Sequence, residues 1–321
     1  MALLRNAPDD FVALVERVAQ QLDYPVAFVE RDYWITEILR SIAKPILDVD
    51  ARVVFKGGTS LSKGWRLIQR MSEDVDVIVV FGASATGGDR NRVLRQLIDR
   101  TSADIGLAPT GQTGKDGVYR ARTFEYPQAY AHGALTGTRV LLELGTRGGP
   151  EPHRRLSLRS YIAEAAVDVF QIPQHEVDEF ASFEIDTLEP ERTLLEKLAA
   201  LHTLASQAAA DPNALDNLGT KMRHAYDIAM LLGHQETVTA LRGLDLAGML
   251  ADIERRTIAS DWEWTPRPAG GYSDSPAFQD AFIAHASVIR AYDQALALVV
   301  GGSKPSLREI VELVRSHGDL L

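Results

Sequence analysis

The spacing of apolar residues predicts helices and strands in alternation along the first half of the chain. Residues 9–22 (DDFVALVERVAQQL) repeat apolar positions every three or four residues and predict an amphipathic helix, and residues 26–43 predict a second helix that ends before Pro45. Residues 52–55 (RVVF) and 74–81 (DVDVIVVF) are rich in valine and predict strands, the second of them buried. The other predicted elements are a helix over 61–70, a loop over 82–88, a helix over 89–103, strands near 119–126 and 138–144, and a loop over 146–155.

From residue 189 onward the pattern is helical. The run PERTLLEKLAALHTLASQAAA opens with a proline suited to the first position of a helix and then follows helical periodicity. Further helical patterns cover residues 217–233, 236–256, 276–299 and 305–317. We therefore expect an α+β fold, in which residues 1–185 form an α+β domain and residues 186–321 form a helical C-terminal domain.

The composition is that of an ordinary soluble protein and excludes several kinds of site. The 321 residues are 45% hydrophobic and include no cysteine, so disulfides, thiolate nucleophiles and cysteine-bound zinc are excluded. No apolar run approaches the ~20 residues that a membrane helix needs. The N-terminal residues MALLRNAPDDF lack the apolar core of a secretion signal. We expect a cytoplasmic protein without membrane association.

The net charge is divided unevenly between the two halves of the chain. The total is 34 − 44 = −10, which disfavours a passive, wholly basic nucleic-acid-binding protein. Residues 1–159 carry 22 basic and 19 acidic side chains (+3), whereas residues 160–321 carry 12 and 25 (−13). The N-terminal half therefore has the cations that a polyanionic ligand would need.

The most informative segment runs from Lys56 to Asp76 and combines a glycine turn with a carboxylate pair. Side chains alternate along a strand, so Asp74 and Asp76 face the same side and repel each other unless a cation lies between them. Oxygen ligands of this kind suit Mg²⁺. The backbone at Gly57 and Gly58 can approach an anion closely. Each feature alone is commonly a turn or a solvated strand edge, but together they match the needs of phosphoryl or nucleotidyl transfer.

These motifs resemble those of the AbiEii/MenT-type nucleotidyltransferase toxins, within the DNA polymerase β-like superfamily. The resemblance rests first on KGGTSL at residues 56–61 followed by RMSEDVD at residues 70–76. It extends over about residues 25–235. The weaker matches are ERDYWITEILRSIA at 30–43 with the second helix of the family, PERTLLEK at 190–197 with its lysine motif, and RHAYD at 223–227 with its last aspartate motif.

The resemblance implies a fold, a reaction and partners. The fold would be a polymerase β-like nucleotidyltransferase domain, with a mixed sheet flanked by helices, plus the C-terminal helical domain. The protein would transfer NMP from an NTP, with release of pyrophosphate and with two Mg²⁺ ions. It would be the toxin of a bacterial toxin–antitoxin or phage-defence system, with a cognate antitoxin protein. Relatives of this kind add nucleotides to the 3′ acceptor end of tRNA and so block translation.

The candidate site residues follow from the motifs. The catalytic candidates are Asp74, Asp76, Lys197 and Asp227; the nucleotide-binding candidates are Lys56, Gly57, Gly58, Thr59, Ser60, Ser72 and Lys197; and the metal-binding candidates are Asp74, Asp76 and Glu143. The case for Glu143 is a charge in an otherwise apolar strand, which is costly without a partner. Alternation along that strand does not decide whether Glu143 faces the site or solvent.

Two candidates in the second half have competing interpretations. Lys197 lies among leucines and is either a cation that reaches solvent past an apolar stripe or, by the resemblance, a ligand of the triphosphate. Asp227 either forms an ordinary salt bridge, orients Lys197 or assists the acceptor hydroxyl.

Three basic clusters are candidates for RNA binding. Such clusters are more often solvated faces. The RNA-binding candidates are Arg66, Arg70, Arg92, Arg95, Arg154 and Arg155. Two other functions stay open: modification of a protein or small-molecule hydroxyl, and a non-catalytic toxin-like protein that binds a partner or nucleic acid.

Overall fold

The computed structural model describes residues 3–72, 74–127 and 137–321, and the chain divides into two compact units. The first unit comprises Met1–Gly64, Ser72–Thr146 and His153–Thr187, and the second comprises Trp65–Met71, Arg147–Pro152 and Leu188–Leu321. Two short stretches from the N-terminal half of the sequence therefore fold with the C-terminal residues. The expected division between residues 185 and 186 runs close to the last of these boundaries.

The first unit is built on a mixed sheet of seven strands in the order β3-β4-β5-β2-β1-β7-β6. The central pair β2 and β5 is parallel, whereas β1 with β2, β4 with β5 and β3 with β4 are antiparallel. β1 and β7 are parallel and meet where Phe55 lies opposite Thr187. The strands are β1 (Ala51–Lys56), β2 (Asp74–Phe81), β3 (Pro109–Lys115), β4 (Tyr119–Glu125), β5 (Arg139–Gly145), β6 (His153–Leu158) and β7 (Phe183–Leu188).

Helices cover one face of this sheet. Val75 and Val77 on β2 alternate with the two aspartates and pack in one core with Leu94 and Leu97 of a long helix. That helix begins with a capping box between Thr86 and Asp89 and ends at Gly106 in the left-handed conformation. The helical segments of the first unit are α1 (Pro8–Leu22), α2 (Val26–Ile42), α3 (Gly57–Thr59), α4 (Gly87–Ile105) and α5 (Tyr161–Glu164). Because α4 packs on the valine side, the aspartates of β2 face away from it.

The second unit is mainly helical. Its long helix begins at Pro190, the first helical position, where a missing backbone N–H costs nothing. The stretch Trp65–Met71 joins this unit through backbone hydrogen bonds of 2.9 Å from Met71 N to Leu298 O and from Val300 N to Gln69 O. The helices are α6 (Pro190–Ala210), α7 (Arg223–Gly233), α8 (Gln235–Arg242), α9 (Leu246–Ala259), α10 (Asp280–Ile283), α11 (Ala286–Leu296) and α12 (Leu307–Ser316).

Most elements expected from the sequence are present, with two corrections. The helix predicted over 61–70 is wrong beyond Gly64, because Arg66 has a φ of +58° and the following residues pair with the 298–300 stretch. The loop predicted over 146–155 is wrong at its end, because β6 begins at His153. The strand β3 was not predicted, since PTGQTGK is not a β-type composition. No described helix is long and apolar enough to cross a membrane.

Candidate functional site

A tight glycine turn directly follows β1 and lies against Asp76 of β2. Gly57 has a φ of +80°, and a Cβ atom at this position would come within 2.2 Å of Asp76 Oδ2. Only glycine fits this close approach of backbone to carboxylate. The Ser60 hydroxyl donates to Gly57 O at 2.8 Å, and the Thr59 hydroxyl donates to Asp74 O. The turn predicted to bind phosphate is therefore fixed directly beside the predicted metal-binding strand.

Three carboxylates share the face of the sheet that α4 leaves uncovered. In the strand register, Asp76 lies opposite Lys56 on one side and opposite Glu143 on the other. Asp74 lies opposite Leu141. Because Asp74 is two residues from Asp76 on β2, both side chains are on the same face of the sheet. All three acids are half-buried. Glu143 therefore faces the same side of the sheet as the two aspartates, which alternation along β5 alone did not decide.

The electrostatics of Glu143 reflect this crowding. Burial raises the pKa of Glu143 to about 7, Asp76 and Asp74 add to the rise, and the Tyr119 hydroxyl opposes it. That hydroxyl donates to Glu143 Oε1 at 2.5 Å, and burial raises the pKa of Tyr119 above its usual value. Tyr119 was not among the residues expected from the sequence, because a lone tyrosine on a strand gives no signal of its partner.

The donor chemistry of this face suits a hard divalent cation. Carboxylate oxygens are the ligands that Mg²⁺ prefers, and three like charges on one face favour a cation between them. In the described residues, no group of three or more His, Asp or Glu side chains is close enough together to hold a metal ion. The three carboxylates therefore fit Mg²⁺ in the type of their donor atoms and in sharing one face of the sheet.

Thr59 and Ser72, both expected to bind nucleotide, line a small pocket of the first unit. Its empty volume, part of which opens to solvent, is about 320 Å³. Lys63 Nζ donates to both carboxylate oxygens of Asp32 there, at 2.7 and 2.9 Å, and the backbone N–H of Tyr161 donates to Asp32 at 2.7 Å. The lining residues are Phe28, Arg31, Asp32, Ile35, Thr59, Ser62, Lys63, Ser72 and Tyr161.

In the second unit, Asp227 binds two buried cations. Arg70 Nε and Nη2 donate to its two oxygens at 2.7 and 2.8 Å, and Lys197 Nζ lies 2.7 Å from Oδ2. The exposed fractions of these side chains are 1% for Arg70, 8% for Lys197 and 0% for Asp227. Arg70 is therefore not placed on a surface open to RNA, as the sequence had suggested, because its guanidinium is occupied by Asp227.

Burial and charge set the protonation states of this cluster. Burial alone would raise the pKa of Asp227, but Arg70 and Lys197 outweigh it and hold that pKa well below its usual range. Burial lowers the pKa of Lys197, although Asp227 opposes the change. His224 Nδ1 lies 3.3 Å from Lys197 Nζ, and burial together with Lys197 holds the pKa of His224 well below its usual value. A neutral His224 can accept a hydrogen bond from Lys197.

The remaining candidates for RNA binding lie on exposed parts of the chain, but not all on one surface. Arg92 and Arg95 are exposed on α4, which packs on the sheet face opposite the carboxylates, and Arg92 pairs with Asp89 at 2.9 Å. Arg154 and Arg155 are exposed on β6, and Arg155 pairs with Glu184 at 2.8 Å. Arg66, also exposed, lies in the 65–71 stretch of the second unit.

The motifs and the geometry agree with a comparison against protein families. A family described as "Nucleotidyl transferase AbiEii toxin, Type IV TA system" matches residues 38–311. The chain belongs to this family. It is therefore a nucleotidyltransferase toxin of a type IV toxin–antitoxin system, a class that uses an NTP as substrate and is paired with an antitoxin. This confirms the resemblance seen in the sequence and excludes a non-catalytic toxin-like protein.

The other comparisons give weaker matches to this AbiEii protein. A solved structure of MenT4, a nucleotidyltransferase toxin from Mycobacterium tuberculosis H37Rv, is 19% identical with a TM-score of 0.40, and the match covers 89% of this chain and 98% of that one. No curated protein matches the chain. The mixed sheet flanked by helices is the α+β fold expected from the sequence.

Proposed function

We propose that this AbiEii protein uses Mg²⁺ to transfer NMP from an NTP to the 3′ acceptor end of tRNA, which blocks translation. The supporting observation is that Asp76 lies opposite Glu143, with Asp74 on the same face and the Gly57 turn in contact range of Asp76. Nucleotidyl transfer needs a phosphate-binding turn next to grouped carboxylates.

The turn and the carboxylates would have different roles in the reaction. An acceptor hydroxyl oxygen attacks the α-phosphorus and loses its proton to solvent, the bond from that phosphorus to the bridging oxygen breaks, and pyrophosphate leaves. The backbone of the Gly57–Ser60 turn, with Lys56 and Ser72, would bind the β- and γ-phosphates. Glu143, on the far side of Asp76, would lie beside the attacking hydroxyl. This order places the entering and leaving groups at opposite ends of one cross-strand row.

Asp74, Asp76 and Glu143 are the residues that would hold two Mg²⁺ ions. When bound, Mg²⁺ lowers the pKa of a coordinated hydroxyl and neutralises the charge that develops on the leaving pyrophosphate. The carboxylates themselves orient the reacting groups, and the Tyr119 hydroxyl restricts the rotation of Glu143.

Lys197 and Asp227 would act as a cation and the residue that positions it. Lys197 is a compact point charge suited to a triphosphate. Its contacts with Asp227 and His224, at 2.7 and 3.3 Å, hold its ammonium group in one place. We expect Lys197→Met to raise KM for the NTP more than tenfold. We expect Asp227→Asn to raise this KM as well, because Lys197 loses the carboxylate that positions it.

A polyanionic acceptor is supported by the exposed cations of the first unit. This support comes from Arg154 and Arg155, which are exposed on β6, and not from Arg92 and Arg95, because α4 lies on the sheet face opposite the carboxylates. We expect the double charge reversal Arg154→Glu/Arg155→Glu to weaken tRNA modification more than NTP binding. An equal loss of both would count against RNA on this surface.

The central experiment is a transfer assay with α-labelled NTPs. The protein is incubated with Mg²⁺, each NTP in turn and total tRNA, with Asp76→Ala as the inactive variant and Glu312→Gln, an exposed acid of α12, as the matched control. Label in tRNA that disappears with Asp76→Ala and with EDTA supports the proposal. Label in protein with none in tRNA would mean that the acceptor is a protein hydroxyl. Transfer that persists in Asp76→Ala would remove Asp76 from the mechanism.

A further inference from the structure

The chain that continues from the glycine turn carries a buried lysine close to its end. Gly57–Thr59 runs directly into a single helical turn, Ser60–Gly64, and we call residues 57–64 together the turn segment. Lys63 belongs to this segment, and its side chain is only 5% exposed. A buried ammonium group is costly unless an opposite charge lies beside it. The position of Lys63 therefore depends on the residue that pairs with it.

That residue is Asp32 of α2. Lys63 Nζ donates to Oδ1 and Oδ2 of Asp32 at 2.7 and 2.9 Å, and the Asp32 side chain is 7% exposed. Asp32 Oδ2 also accepts the backbone N–H of Tyr161, the first residue of α5, at 2.7 Å. The Lys63 ammonium lies 4.9 Å from the centre of the Tyr161 ring, in the range of a cation–π contact. One carboxylate thus joins α2, α5 and the turn segment.

The beginning of the turn segment is held by the strand that carries the aspartates. The Thr59 hydroxyl donates to Asp74 O of β2, and the Ser60 hydroxyl donates to Gly57 O at 2.8 Å. The segment is therefore attached to β2 near its start and to α2, through Lys63, near its end. The backbone that we propose to bind phosphate, Gly57–Ser60, belongs to the part of the chain whose position these two attachments fix.

The pairing of Lys63 argues against a direct role in binding the triphosphate. Its ammonium group donates to both oxygens of Asp32, so the pair carries no net charge. Withdrawing Lys63 toward a phosphate would leave the buried Asp32 carboxylate without its counter-charge, which is strongly unfavourable. Both residues line one pocket with Thr59 and Ser72, two candidates for nucleotide binding. A change in the pair would therefore reach the nucleotide through the position of its neighbours.

We propose that Asp32 and Lys63 are positioning residues for nucleotidyl transfer. Their ion pair holds the turn segment where its backbone can meet the β- and γ-phosphates of the NTP. This inference rests on the proposed function and adds a residue of α2 to the site. Because a misplacement of about 1 Å in substrate-binding groups can cost about 100-fold in rate, loss of the pair weakens NTP binding and transfer without removing a ligand.

The test removes one charge of the pair or both. Asp32→Asn and Lys63→Met each leave the other charge buried without a partner, whereas the double variant leaves no charge. Replacing a whole buried ion pair with neutral side chains is often nearly neutral for stability, so we expect the double variant to keep the fold. The matched control is the pair of Lys44 and Asp104 in the same unit, changed to Met and Asn. It has the same 2.7 Å distance from Nζ to carboxylate, but its side chains are 50% and 30% exposed.

Two quantities are measured on the full-length proteins, the melting temperature and the Kd of an α,β-methylene NTP analogue in the presence of Mg²⁺. The four bases are tried in turn with the wild type, and the tightest analogue is used for all variants. We expect both single variants and the double variant to raise this Kd about tenfold, and the control variants to stay within about twofold. The double variant should regain most of the melting temperature lost in the single variants while its Kd stays raised.

The same measurements separate positioning from the two other roles that the pair could have. If Lys63 were a ligand of the triphosphate, Asp32→Asn would free its charge and leave the Kd unchanged or lower, which would overturn the inference. If the pair only stabilised the fold, the Kd of the double variant would return to the wild-type value together with the melting temperature, which would also overturn it. Lys63→Arg keeps the charge and can donate to both oxygens of Asp32, so we expect its Kd to stay within about threefold of the wild type.

The analogue does not require an acceptor, so failure of this inference and failure of the proposed function can be told apart. If the wild type labels tRNA and Asp32→Asn binds the analogue as tightly as the wild type does, the proposed function stands and the positioning role is wrong. If the wild type labels protein and not tRNA, the proposed acceptor is wrong, and a raised Kd in the three variants of the pair still supports the positioning role.

Discussion

Arg70 and Asp227 form a two-bond ion pair although 157 residues separate them along the chain. The guanidinium nitrogens Nε and Nη2 lie 2.7 and 2.8 Å from the two carboxylate oxygens. Lys197 contacts the same carboxylate at 2.7 Å. One buried negative charge therefore balances two buried cations, and its removal leaves both without a counter-charge.

The first prediction concerns stability. Asp227→Asn keeps the shape of the side chain but removes its charge, so Arg70 and Lys197 become uncompensated in a buried setting. We expect the free energy of unfolding to fall by about 3–5 kcal/mol, because breaking a buried ion pair from one side is strongly destabilising. Urea unfolding followed by circular dichroism measures the change. The exposed control Glu312→Gln should unfold like the wild type, and equal midpoints for the two variants would contradict the prediction.

The second prediction concerns the pH dependence of that loss. Arg70 and Lys197 overcome the effect of burial and hold the pKa of Asp227 well below its usual range. A carboxyl with a lowered folded-state pKa contributes stability that is present above its unfolded pKa of about 3.9 and is lost as the pH falls toward the folded value. The difference in unfolding free energy between wild type and Asp227→Asn should therefore be constant from pH 7 to about 5 and shrink below about pH 4. A difference that persists undiminished to pH 3 would show that charge is not its origin.

The third prediction concerns the glycine turn. Gly57→Ala would place a methyl group 2.2 Å from Asp76 Oδ2 and would strain a backbone with φ of +80°. We expect nucleotidyl transfer to fall by about 100-fold, because Asp76 must move and catalytic geometry tolerates little displacement. Gly87→Ala is the matched control, since a Cβ atom there meets nothing within 4 Å. Comparable activity of the two variants would mean that the turn is not coupled to the site.

The fourth prediction concerns crowding of the carboxylates. Without a divalent cation, Asp76→Asn relieves repulsion among the three acids and should raise the melting temperature slightly, by roughly 1–2 °C. With Mg²⁺, the wild type should gain thermal stability that the variant lacks, because binding to the folded state stabilises it. Differential scanning fluorimetry with EDTA and with Mg²⁺ measures both effects. Identical Mg²⁺ responses of the two proteins would argue against this face as the metal site.

The elements that define the site are the ones that the sequence predicts best. The β1–turn–β2 segment carries its own signals: a valine-rich strand, a glycine pair and alternating aspartates within a short stretch of chain. Each of these depends on neighbours in sequence, so periodicity and turn chemistry are sufficient. The placement of Asp74 and Asp76 on one face follows from alternation alone.

The features that the sequence could not decide depend on distant parts of the chain. Glu143 became part of the site through the register of β5 against β2, which alternation within β5 cannot reveal. The helix expected over residues 61–70 failed because the pairing of residues 69–71 with residues 298–300 outweighed local propensity. The burial of Arg70 likewise follows from Asp227, which no local pattern links to it.

Each unit is assembled from three separate stretches of the chain, and this has a practical consequence for work with a toxic protein. Because Trp65–Met71 belongs with Leu188–Leu321, a fragment that starts at residue 188 lacks the arginine that Asp227 pairs with, and the complementary fragment retains a peptide with no partner. No single cut yields two self-sufficient pieces. A split form of this protein would therefore need residues 65–71 and 147–152 to be carried by the same piece as residues 188–321.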